Sequence, residues 1–251
     1  MGRNSAVCFA FATVVLVSGC DSVSGLDTDP KPAESAATAS STSQTTSAPT
    51  SSAPAGPVAL PDCPEGVVDE LDCRARTQDK TGVVFDSRRT PEGTVTIEVI
   101  APDGTVTQTI TEQAGDRSAN PRAIDTDSDG RDELVIPVEV GPYWYRFVVY
   151  HATGDATEYT RAGEFPGTGI DPTPDGLAHT AHKNGYQSVT HTFWTYENDV
   201  MVPVVIAESK FTNGTDAPPV CTITSAPGLS KTSFKTVAAA RTHFCAQAAE
   251  S

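Results

Sequence analysis

Apolar residues alternate with polar ones along much of the chain beyond residue 90, a pattern typical of β-strands that bury one face. Two β-hairpins are predicted from pairs of such segments joined by turn residues: 94–100 with 105–110, and 191–196 with 201–206. The first turn is Pro102-Asp103-Gly104 and the second is Glu197-Asn198-Asp199, and both sequences are rich in turn-forming residues.

Two further apolar segments, 134–138 and 143–150, predict buried strands, and the second is rich in aromatic residues. A helix is predicted only near the end of the chain, within 233–249, where alanines cluster. The pattern therefore predicts a mainly β fold of successive antiparallel hairpins, with one C-terminal helix.

The longest apolar run lies at the N-terminus, where residues 6–17 follow the single basic residue Arg3. This run is too short to span a bilayer comfortably and fits the apolar core of a signal peptide. It ends in the motif LVSGC at 16–20, which resembles the bacterial lipobox, with small residues before the cysteine. We therefore expect a signal peptide at 1–19 and a lipid on Cys20, which would hold the chain on the outer face of the cell membrane. The alternatives are an uncleaved anchor and an ordinary secretory signal.

The composition changes between residues 20 and 61, where Ser, Thr, Ala and Pro dominate. A segment without a periodic apolar face cannot offset the entropy lost on folding. We interpret 20–61 as the lipidated cysteine followed by a disordered tether, and 62–251 as a β-rich extracytoplasmic domain.

The chain is strongly acidic, with a formal net charge of −15. Such a charge repels nucleic acid and suits divalent cations or basic protein partners.

Four cysteines remain beyond Cys20, and an exported domain lies in a compartment that permits disulfides. We favour the pairs Cys63–Cys73 and Cys221–Cys245, which close local loops. The alternative pairing Cys63–Cys245 would join the two ends of the domain.

The sharpest chemical motif is the segment DTDSDGRDEL at 125–134. Alternate carboxylates can converge on one cation when the loop curls, and Gly130 permits the left-handed turn that curls it. Hard oxygen donors in this number favour calcium. The expected ligands are the carboxylates of Asp125, Asp127, Asp129 and Glu133 and the backbone carbonyl of Arg131. The alternative is an acidic, solvated turn without an ion.

An EF-hand is disfavoured, because its twelfth position holds Ile136 and a strand follows in place of a helix. The motif resembles instead the FG-GAP loop, the integrin α-type or VCBS-like calcium loop between two strands of a propeller blade. The resemblance covers roughly residues 95–207 and implies a short or degenerate β-propeller-like domain, since one such loop is visible. Some small exported bacterial proteins with a single loop of this kind inhibit lysozyme-like hydrolases or act as immunity proteins against them.

Other candidate site residues are weaker. His179, His182 and His191 fall in a polar region, and we interpret them as surface histidines. Asp171 and Asp175 flank prolines, and we interpret them as turn residues.

Catalytic motifs such as the nucleophile elbow and the phosphate-binding loop are missing from the sequence, so we predict a protein that is not an enzyme. We hypothesise that the protein is a calcium-stabilised protein-binding module of the cell envelope. A more specific version of this hypothesis is that it inhibits a basic peptidoglycan hydrolase. The alternatives are a scaffold lipoprotein and, behind it, a glycan-acting hydrolase.

Overall fold

The computed structural model of the protein describes residues 59–64, 72–115, 117–211 and 218–250. The predicted signal peptide, Cys20 and the tether as far as residue 58 lie outside the described residues. Within the described part of the chain, no helix is long and apolar enough to cross a membrane.

The described strands form three antiparallel sheets in chain order. The first sheet contains β1 (Cys73–Arg76), β2 (Val84–Arg89), β3 (Thr94–Ile100) and β4 (Val106–Gln113). The second contains β5 (Arg122–Ile124), β6 (Glu133–Val140), β7 (Tyr145–His151) and β8 (Thr160–Gly167). The third contains β9 (Ile170–Pro172), β10 (Ala178–Lys183), β11 (Ser188–Glu197), β12 (Val200–Lys210) and β13 (Val220–Ser225). A short 3-10 helix (Leu229–Lys231) and the helix α1 (Val237–Glu250) follow.

Each sheet is a meander in which every strand pairs with its neighbours in sequence, as in the blades of a propeller. The prediction of a mainly β fold of successive hairpins with one C-terminal helix is therefore confirmed. The helix begins at Val237, later than the predicted 233, because Thr236 caps it. The Thr236 Oγ1 atom accepts a hydrogen bond from the Ala239 amide at 3.2 Å.

Strand β6 explains why the segment 134–138 is apolar without alternation. Leu134 and Ile136 pack with Phe85 and Ile97 of the first sheet. Val135, on the opposite face, joins a second apolar cluster that reaches the third sheet. Both faces of the segment 134–138 are covered, so a polar side chain would have no solvent-facing position within it.

The third apolar cluster joins α1 to the third sheet. Ala240 and Phe244 of the helix pack on Phe193, Val204 and Val205. The favoured disulfides are both formed: one bond links Cys221 of β13 to Cys245 of α1, and the other links Cys63 to Cys73 of β1.

Candidate metal-binding site

The predicted calcium loop connects β5 to β6 and is curled by its own hydrogen bonds. The Gly130 amide donates to Asp125 Oδ2 at 2.9 Å, and the Arg131 amide donates to Asp129 Oδ1 at 2.7 Å. Ser128 and Gly130 adopt left-handed φ angles of 60° and 88°. The glycine has no β-carbon to oppose that conformation, so the loop curls as the sequence predicts.

The carboxylates of Asp125, Asp127 and Glu133 converge, with one oxygen of each within 4.8 Å of the others. Glu133 is fully buried at the start of β6. Its Oε2 atom accepts hydrogen bonds from the amide and the hydroxyl of Thr126, each at 2.7 Å. Its Oε1 atom is buried and has no hydrogen-bond partner. A buried acceptor without a donor destabilises the fold, and a cation at this point would satisfy it.

A second group of ligand atoms shares Asp127 with the first. One oxygen of Asp127, one of Asp129 and a ring nitrogen of His151 lie within 4.8 Å of one another. His151 ends β7 and directly follows Tyr150, the residue that pairs with Leu134 of β6. The sequence does not predict a role for this histidine, because His151 lies outside the motif and reaches the loop only through the pairing of β6 with β7.

Without a cation, burial and mutual repulsion disfavour the ionised forms of the carboxylates at the loop. Burial, together with the nearby charges of Asp127 and Asp129, raises the pKa of Glu133 to about 8 against the opposing hydrogen bonds from Thr126. Burial, followed by the charge of Asp129, also raises the pKa of Asp127. A bound dication would reverse this balance, because it attracts every carboxylate in the group.

The side chain of Arg131 reaches the connection between β1 and β2 and the connection between β7 and β8. Its guanidinium is buried and contacts Asp79 Oδ2 and the Tyr159 hydroxyl, each at 2.5 Å. Burial opposes the charge of Asp79, but hydrogen bonds from Thr81 and from the Asp132 amide, with the charge of Arg131, lower the pKa of Asp79 to about 2. The predicted role of Arg131 concerns its backbone carbonyl, and that role stays a prediction.

The loop also contacts the third sheet. The Thr126 hydroxyl lies 2.7 Å from the hydroxyl of Tyr196 in β11. Since Thr126 donates its proton to Glu133, Tyr196 is the donor in this pair. Gly176, before β10, approaches so closely that a β-carbon there would lie 3.0 Å from the Asp127 backbone oxygen. The loop therefore connects β5 to β6 and contacts the β1–β2 connection, the β9–β10 turn and strand β11.

The histidines interpreted as surface residues lie on strands, and two of them are buried. His179 of β10 and His191 of β11 are 5% and 3% exposed, so that interpretation is wrong for both. His179 Nε2 lies 3.1 Å from His191 Nδ1, and this hydrogen bond replaces one that each ring would make with water. Burial, with a smaller contribution from His191, lowers the pKa of His179 to about 4. His182 is half-buried.

Asp175 lies in the turn between β9 and β10, as predicted for a turn residue, and also reaches α1. Its carboxylate accepts a hydrogen bond from Gln247 Nε2 at 2.7 Å and contacts His243 Nε2. Asp171 lies within β9 instead of a turn, paired with His179 across the sheet.

Comparison with known proteins gives one weak structural likeness. No family model matches the chain, and no curated protein matches it. Among solved structures, it is similar to a Xanthomonas type IV secretion system related protein. The match has a TM-score of 0.36 and 10% identity, and it covers 62% of this chain and 87% of the other. A likeness at this level carries no argument about function.

Proposed function

We propose that the chain is a cell-envelope lipoprotein whose β domain is stabilised by a calcium ion and binds other proteins. The observation that carries the calcium proposal is the carboxylate of Glu133, which has a buried, unpartnered Oε1 atom. One oxygen of this carboxylate lies within 4.8 Å of oxygens from Asp125 and Asp127. Carboxylate oxygens of this kind are the donors that calcium takes in proteins.

A structural role for the ion is supported by the surroundings of the loop. Arg131 bonds to Asp79 beside the first sheet, and Thr126 bonds to Tyr196 in the third. An ion that neutralises the carboxylates would fix the loop from which these contacts start. Its removal would therefore loosen more of the domain than the loop itself.

The envelope location rests on the sequence of the N-terminus, where the lipobox-like motif ends at Cys20. A lipid there, followed by the Ser/Thr/Ala/Pro-rich segment, would hold the domain outside the membrane. The net charge of −15 supports a basic partner, because opposite charges steer association. Lysozyme-like peptidoglycan hydrolases are the class of partner that the loop resemblance suggests.

Calorimetric titration of the mature chain with calcium tests the ion. We expect one site, and we expect Asp127→Asn and Glu133→Gln each to weaken binding at least tenfold. Asp103→Asn is the matched control, since Asp103 also accepts a backbone hydrogen bond in a turn but lies in the β3–β4 hairpin. A wild-type chain that binds no calcium, or variants that bind as tightly as wild type, would contradict the proposal.

Binding and lysis assays with a basic lysozyme-type hydrolase test the partner. We expect association to slow as salt concentration rises, and we expect hydrolysis of peptidoglycan to be reduced. A chain that binds calcium but neither binds nor inhibits such enzymes would remove the hydrolase from the proposal and leave the scaffold alternative.

A further inference from the structure

We propose that His151 makes the loop a mixed nitrogen and oxygen metal site, in which Asp127, Asp129 and His151 bind a first-row transition dication such as zinc. This inference rests on the proposed function for the loop as an ion site, but not on calcium as its only ion. The three ligand atoms belong to residues of the loop and of strand β7.

The ring of His151 is fixed on two sides. It stacks on Tyr196 with ring centroids 3.9 Å apart and an interplanar angle of 14°. Its Nδ1 atom lies 2.9 Å from Asp199 Oδ1, and the side chain is 4% exposed. The ring therefore has one orientation before any ion binds.

The contact with Asp199 decides which nitrogen can bind a metal. An ionised carboxylate accepts hydrogen bonds only, so Nδ1 carries the proton in the neutral ring. The lone pair is then on Nε2. Metal-binding histidines commonly have this arrangement, in which a carboxylate holds the other ring nitrogen and makes the ligand more basic.

The Nε2 atom faces the carboxylates of the loop. It lies 4.0 Å from Glu133 Oε1, too far for a hydrogen bond but close enough for both atoms to bind one ion. With zinc bonds of about 2.0 to 2.2 Å, two ligands of a tetrahedral ion lie roughly 3.3 to 3.6 Å apart, so the two atoms would approach each other by about half an ångström on binding. The unpartnered Oε1 atom and the oriented Nε2 atom thus point to the same space.

Ligand chemistry then separates the two ion positions. Asp125, Asp127 and Glu133 offer oxygen alone and suit calcium. Asp127, Asp129 and His151 offer an imidazole and two carboxylates, a set that suits zinc and its neighbours in the first row. Both sets need Asp127, and Glu133 Oε1 lies 4.0 Å from Nε2 of His151, so it adjoins both positions and the two ions compete.

The test is a titration of the mature chain, labelled with ¹⁵N in its histidine rings, first with zinc and separately with calcium. We expect zinc to shift the Nε2 resonance of His151 and to be displaced by calcium in excess. In calorimetry, His151→Gln and Asp199→Asn should each lower zinc affinity at least tenfold. His151→Gln should change calcium affinity less than threefold.

His243→Gln is the matched control, because His243 also contacts a carboxylate, that of Asp175, but lies in α1. We expect this variant to bind zinc as wild type does. Zinc shifts confined to His179, His182, His191 or His243, or undiminished zinc affinity in His151→Gln, would overturn the inference. The wild-type spectra decide the matter even where a variant fails to fold.

The two proposals fail separately. A chain that binds calcium but shows no zinc response at His151 overturns this inference alone. A chain that binds zinc through His151 and binds no calcium supports it and contradicts the calcium proposal.

Discussion

Two ion pairs between an arginine and an aspartate, both near the first sheet, differ greatly in their exposure to solvent. Arg131 and Asp79 form a pair whose side chains are 3% and 2% exposed, whereas Arg76 and Asp62 form one at 55% and 74% exposure. Water and salt screen the exposed pair, but a buried charge that loses its partner has no replacement. The two pairs should therefore differ greatly in their effect on stability.

Asp79→Asn should lower the free energy of unfolding by about 3 to 5 kcal/mol, because Arg131 would remain buried without a counter-charge. Asp62→Asn is the control and should cost less than about 1 kcal/mol. Urea unfolding of both variants measures the difference. Equal and small effects would show that the buried pair does not hold the loop to the first sheet.

The buried pair His179 and His191 predicts a pH dependence of stability. The pKa of His179 is about 4 in the fold and about 6.5 in an unfolded chain, so the unfolded state binds more protons between these values. The contribution of the neutral ring to stability is therefore complete above pH 6.5 and is lost as the pH falls towards 4.

The difference in unfolding free energy between wild type and His179→Gln isolates this contribution from other titrating groups. The advantage of wild type should shrink by roughly 2 kcal/mol between pH 7 and pH 5. Urea unfolding at several pH values measures this difference. The control is His243→Gln, because His243 is partly exposed. A difference that stays constant with pH would contradict the assignment.

At the scale of elements, α1 is the only described helix of more than one turn, and it stabilises the third sheet through one side. Phe244 is 1% exposed and its ring centroid lies 4.8 Å from that of Phe193, whereas Val237 in the first turn is 46% exposed. The helix therefore depends on packing, together with the Cys221–Cys245 bond, for its position.

Phe244→Ala should lower the free energy of unfolding by about 3 to 5 kcal/mol, because it leaves a cavity between helix and sheet. Val237→Ala should have little effect, since it removes exposed methyl groups and improves helix propensity. Chemical unfolding measures both. A small effect of Phe244→Ala would mean that the disulfide alone holds the helix.

Alternation of apolar and polar residues correctly predicted those strands whose sequences show this pattern. Strand β3 buries every second residue, and both predicted hairpins are present as β3–β4 and β11–β12. Strand β2 was not predicted from the sequence because it buries Asp86 and Ser87, and β10 was not predicted because it buries His179. Polar residues that are buried by tertiary pairing look like exposed residues in a sequence.

At the scale of the whole domain, the curled acidic loop was predictable but its surroundings were not. The spacing of Asp125, Asp127 and Glu133 was enough to predict their grouping, because these residues are close in sequence. Asp129, predicted to join them, groups instead with Asp127 and His151. His151, Tyr196 and Asp79 are distant in sequence and reach the loop through strand pairing and sheet packing. A periodic pattern carries no information about such contacts.

The measurement that tests the central claim most directly is thermal unfolding of the mature chain in saturating calcium and in chelator. At a hundredfold excess over the dissociation constant, binding to the folded state adds about 2.7 kcal/mol. For a domain of this size that raises the midpoint by roughly 5 to 10 °C. We predict a shift of this size in wild type and its loss in Asp127→Asn. Identical midpoints in calcium and in chelator would contradict the account.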